Sequence, residues 1–69
     1  MNPLDLLMGL RATFPACIPS LTLDKETGAA LIVTLCNREA ERFDSYKLDP
    51  EDLARPAGDI VAELARLRG

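Results

Sequence analysis

In a chain of 69 residues without a single histidine, the two thiols and the paired carboxylates are the first candidates for chemistry. The commonest general base and metal ligand is missing, so Ser–His and Cys–His nucleophile pairs cannot form within one chain. Cys17 and Cys36 stand with 18 residues between them. That spacing matches no CxxC element, and two thiols without histidine fall short of a structural zinc site. The carboxylate pairs Glu51 with Asp52 and Glu39 with Glu41 are near in sequence. Acid–base work would need a pocket that shifts one of their pKa values. Their places at a helix start and on an edge strand put them in water instead. The four glycines are scattered singly, so no phosphate-cradling loop is present. No enzyme, no cofactor and no metal is the expectation.

Arg42, Phe43 and Tyr46 interleave a base with aromatics, as stacking platforms for nucleic acid do. The surrounding charge weighs against that use. Glu39, Glu41, Asp44, Asp49, Glu51 and Asp52 are offset only by Arg42 and Lys47, a net of −4 in a chain whose total is −3. Phosphate repels such a segment. It reads first as a charged edge strand followed by an acidic helix start, both of which favour carboxylates for local reasons. An acidic decoy for a basic partner is the alternative.

Elements must hold these residues, and the chain is short enough for one domain over residues 1–69. A core this small calls for a disulfide, a metal or a second subunit to support it. Composition, at 48% hydrophobic and 28% charged residues, is that of a folded protein. The longest apolar run, Ala29 to Val33, is far too short to span a bilayer, and the N-terminus lacks the basic start of a signal peptide. A cytoplasmic location is the default.

Asn2-Pro3-Leu4-Asp5 is a helix start with a cap, a first-turn proline and a carboxylate near free N–H groups. The helix is expected from Pro3 to about Thr13, where Pro15 stops it. Leu4, Leu6, Leu7, Met8, Leu10 and Phe14 then cover an arc of about 200° centred on Leu7, wider than one sheet buries comfortably. Ile18 to Lys25 alternates as a half-buried strand, Ala29 to Cys36 is uncharged and rich in β-branched residues, and Glu41 to Leu48 is a charged third strand. Proline and charge place the first and third at the edges.

A three-residue loop, Glu26-Thr27-Gly28, with glycine at positive φ, sets Leu23 opposite Leu31 and Leu21 opposite Val33. A four-residue loop from Lys25 is the competitor, and it brings Cys17 and Cys36 face to face. In the first register both are free thiols. Phe43 and Tyr46 fall on opposite faces, a conflict that a bulge or an early strand end would relieve. Asp49-Pro50-Glu51-Asp52 starts a short turn to Ala54, and Pro56 begins a main helix to about Leu67 with Ala57, Ile60, Val61, Leu64 and Leu67 inward.

The expected fold is therefore α+β: a helix, a three-stranded antiparallel meander of order 1-2-3, and a helix, both helices on one sheet face. In order and length it resembles the double-stranded-RNA-binding domain. That family opens its second helix with a lysine cluster, and the corresponding stretch here is Ala54-Arg55-Pro56-Ala57-Gly58-Asp59. The resemblance is of topology, and topology does not carry function.

The reading that best fits the sequence is a non-enzymatic interaction domain that self-associates or binds a protein partner. Its candidate surfaces are the flank Leu4, Met8 and Arg11 of the first helix, and Ile32, Thr34 and Cys36 on the open sheet face. Nucleic-acid binding through Arg38, Arg42, Arg55, Arg66 and Arg68 requires folding to gather those side chains on one face.

Overall fold

A computed structural model describes residues 1–68, and Gly69 lies outside them. The chain runs α1 (Pro3–Thr13), β1 (Ile18–Leu23), β2 (Leu31–Asn37), β3 (Arg42–Leu48), α2 (Pro50–Leu53) and α3 (Ala57–Arg68). The strands form one antiparallel sheet of order β1-β2-β3, and the helices lie on one side of it. Asn2 caps α1, its Oδ1 accepting from Leu4 N–H at 2.9 Å. Pro50 opens α2 at the first helical position, where a missing N–H costs nothing, and Pro56 separates α2 from α3.

The register is the expected one. Leu21 pairs with Val33 and Leu23 with Leu31. The turn that sets it is wider than three residues: Asp24 N–H donates to Ala30 O, and Gly28 N–H returns to Asp24 O, both at 2.8 Å. Gly28 does take positive φ, at 67°. The loop widens because side chains hold it open. Asp24 Oδ1 accepts from Glu26 N–H, and Thr27 Oγ1 accepts from the N–H groups of Ala29 and Ala30. The strand bounds shift accordingly, with β1 ending at Leu23 and β2 starting at Leu31.

β3 pairs with β2 without interruption from Leu31↔Leu48 to Asn37↔Arg42. No bulge reconciles the two aromatics. Tyr46, opposite Val33, packs on the core, while Phe43, opposite Cys36, is 67% exposed on the other face. The preceding turn closes with Glu41 at φ 52°, a left-handed conformation held by a non-glycine residue.

The core is Leu6 and Leu10 from α1, Val33 and Leu35 from β2, Leu48 from β3, and Ile60, Val61 and Leu64 from α3. Two expectations need correction. The buried line of α1 is centred on Leu6 and Leu10, and Leu7 is only half-buried. α3 crosses α1 so closely that a Cβ on Gly9 would lie 3.0 Å from Val61 Cγ2, and that contact turns the Gly9 side of α1 toward α3. Leu67 is the second: it is 67% exposed, and Arg68 takes the inner position in its place.

The crossing makes a paired prediction. Gly9→Val forces Val61 from its site and should lower unfolding stability by about 1–3 kcal/mol. At Gly58 an added methyl group would meet nothing within 4 Å, so Gly58→Ala should gain up to about 1 kcal/mol. Urea denaturation of the two variants checks both signs.

Candidate functional site

Sheet parity sorts the side chains before any contact is considered. On the face away from the helices, partners across the three strands form rows: Ile18, Cys36 and Phe43; then Ser20, Thr34 and Ser45; then Thr22, Ile32 and Lys47. One end of this face is apolar and the middle row is hydroxylic. The far end is ionic, since Lys47 Nζ lies 3.3 Å from Asp24 Oδ2. The Asp24 carboxyl is held below its ordinary pKa, first by the N–H of Glu26 donating to it and then by Lys47, against the opposing effect of burial.

The helix-side face is apolar from the Leu31–Leu48 pair to Leu35 and turns polar at Asp44, beside Leu35, and at the Asn37–Arg42 pair beyond it. Two guanidinium groups neutralise it: Arg42 Nε at 2.9 Å, and Arg68, whose Nη1 is bonded to the same oxygen. The Arg68 side chain is 12% exposed. Its other nitrogen donates to Cys17 Sγ at 3.6 Å, and its guanidinium lies 5.1 Å from the centre of the Phe14 ring. Arg68 thus ties the end of α3 to β3, to the α1–β1 connection and to Phe14 through one planar group. Sequence reasoning put Leu67 there. The available signal was the inward parity of Asp44, a charge that needs a partner, and Arg68 lies four residues after Leu64 on the inner stripe.

The candidate surfaces lie on separate faces. Leu4, Met8 and Arg11 are exposed on α1, Leu4 at 61% and Met8 at 62%. Ile32, Thr34 and Cys36 are half-buried on the open face of the sheet, beyond the core from α1. Folding brings each trio together but not the two trios. The open face also carries Ile18 and Phe43, cross-strand partners of Cys36 that sequence reasoning did not place on it, and the parity of Ile18 with Ser20 along the first strand was the signal.

The arginines are not gathered on one face. Arg42 and Arg68 serve Asp44, and Arg55 bonds Glu63 at 2.8 Å and Asp52 at 3.3 Å. The acidic segment is divided in the same way, with Asp44 turned inward and Asp52 shared between Arg55 and the N–H of Asp49. Cys17 is buried and Cys36 half-buried, and both are free.

Between α1 and α3 runs an open groove of about 600 Å³, walled by Gly9, Ala12 and Thr13 on one side and Ala57, Gly58 and Ala62 on the other. Its walls are mostly methyl groups and backbone, and the Asp5 carboxylate is the one ionisable side chain among the residues that line it. Among the described residues no three His, Cys, Asp or Glu side chains are placed to hold a metal ion. No helix among them is long and apolar enough to cross a membrane. No family model matches the sequence, and comparison with characterised proteins and with solved structures finds no significant similarity.

Asp24 yields a pH prediction. A carboxyl lowered by folding stabilises the native state fully above its unfolded value of about 3.8, and that contribution is lost as pH falls through the lower native value. Asp24→Asn should be less stable than wild type at neutral pH, and the difference should shrink as pH drops below about 4. Denaturation midpoints collected across acid pH test the sign.

Proposed function

We propose that this chain is a non-enzymatic protein-interaction domain whose first partner is a second copy of itself. One observation carries the reading. Six large hydrophobic residues are more than half exposed, and four of them, Leu4, Met8, Ile18 and Leu23, belong to α1 and β1. α1 packs on β1, so these side chains belong to two adjoining elements at one margin of the sheet, Leu4, Met8 and Leu23 on its helix side and Ile18 on its open face. Apolar surface concentrated there, in a chain with so small a core, marks an interaction site more readily than scattered exposure would.

Charge supports the same side. The acids from Glu39 to Asp52 lie in the β2–β3 turn, on β3 and at α2, at the opposite margin of the sheet. Two copies approaching through α1 and β1 keep their net negative segments apart. The free thiols of Cys17 and Cys36 support a reducing compartment, which we take to be the cytoplasm.

Sedimentation velocity over a concentration series from low to high micromolar tests the proposal. The wild type should move from monomer toward dimer. Leu4→Glu combined with Met8→Glu should raise the concentration needed by at least about tenfold, equivalent to about 1.4 kcal/mol. A wild type that remains monomeric throughout removes self-association.

A further inference from the structure

The hydrogen-bond phase of β1 shows which of its backbone groups remain unused. Asp24 N–H donates to its partner Ala30, so 24↔30 is a hydrogen-bonded pair of the antiparallel ladder. Alternation then makes Thr22↔Ile32, Ser20↔Thr34 and Ile18↔Cys36 the other bonded pairs. Pro19, Leu21 and Leu23 therefore direct their backbone groups away from β2, along the free edge of the sheet. Pro19 stands where its missing N–H costs the ladder nothing.

The two edges of the sheet differ. β3 carries Arg42, Asp44 and Lys47, whereas β1, Ile-Pro-Ser-Leu-Thr-Leu, has no charge at all. Charge is the usual guard of an edge strand, and only one proline guards this one. Above it lies the unpartnered flank of α1. Leu6 and Leu10 of α1 face the core, and Gly9 and Ala12 face α3. At 100° per residue Leu4, Leu7 and Arg11 then occupy the side opposite α3. α3 ends on Asp44 of β3, and α1 packs on β1. The Leu4–Leu7 side of α1 thus projects over the free β1 edge, making one uncharged strand and one apolar helix flank continuous.

Resting on the self-association proposed above, we infer that two copies pair their β1 edges antiparallel about a two-fold axis at Leu21, forming one six-stranded sheet with the two α1 flanks side by side. Leu21 faces its symmetry mate and exchanges two hydrogen bonds with it. Each Leu23 N–H donates to the carbonyl of Pro19 in the other copy, so every outward donor within β1 is used and the proline is needed only as an acceptor. Moving the axis to Thr22 would draw Lys25 and the charged turn into the ladder, whereas the Leu21 axis keeps the paired residues within β1. A strip one strand long and two layers deep belongs to the small interfaces, below roughly 1,200 Å² in total, so the dimer is a weak one.

Hydrogen exchange with sedimentation separates this inference from the broader reading. The amides of Leu21 and Leu23 point outward in the monomer, so they should exchange fast at low concentration. They should slow by at least about tenfold once the dimer fills, as expected for amides entering a ladder. Leu23→Pro removes a donor that β2 does not use and should weaken dimerisation by at least tenfold with the circular dichroism unchanged, while Leu23→Val should dimerise within a few-fold of wild type. A dimer in which the two amides remain fast, or that survives Leu23→Pro, overturns the edge pairing and leaves self-association standing. A strictly monomeric wild type overturns both.

Discussion

Two helices share one face of a sheet only three strands wide. Strands about 4.8 Å apart place β1 and β3 roughly 10 Å from each other, whereas two helices with their side chains need about 20 Å. The helices must therefore approach closely and also overhang. Gly9 allows the approach, since its missing side chain is where Val61 sits. The overhang falls on the β1 side, because α3 is anchored over β3 by Arg68 on Asp44. Core, groove and exposed flank all follow from this mismatch of widths. Leu6 and Leu10 reach the sheet, the small residues beyond Gly9 leave an open groove on the outer surface, and Leu4 and Met8 stay more than half exposed.

Arg68 holds the arrangement at its other end. A carboxylate on the inner face of β3 would be costly alone, and the guanidinium of α3 satisfies it while stacking on Phe14. The same residue reaches Cys17, so the strand edge, the connection after α1 and the last turn of α3 meet at one planar cation. Its stem fills the inner stripe that Leu67 leaves, and Leu67 stays in water.

Much of this was legible in the residues. Gly28 and the alternation of Leu21 and Leu23 with their neighbours were enough for register and strand order, Pro50 for the start of α2, and Pro56 for the break before α3. These are local signals, and they agree with one another. What could not be read is rotation. Whether Leu6 or Leu7 leads the buried line of α1 depends on Val61, more than fifty residues away in sequence. Whether Leu67 or Arg68 turns inward depends on Asp44. Tyr46 on the core and Phe43 in water reverse the hydrophobic order of the two side chains, because β3 keeps its pairing with β2 and its parity with it. At the candidate site the flank residues Leu4, Met8 and Arg11 could be read as surplus apolar surface, but their position over an uncharged edge could not, since it needs the helix to be placed on the sheet.

In the proposed dimer the β1 side of this domain is completed by another copy. A mixture of isotope-labelled and unlabelled chains, filtered for contacts between the two, measures this directly. Antiparallel pairing about Leu21 brings the α-protons of Ser20 and of Thr22 from the other copy into the close, non-hydrogen-bonded position of the ladder, and that cross-peak should appear. Intermolecular contacts confined to the Phe43 row of the open sheet face, or none at any concentration, would contradict it.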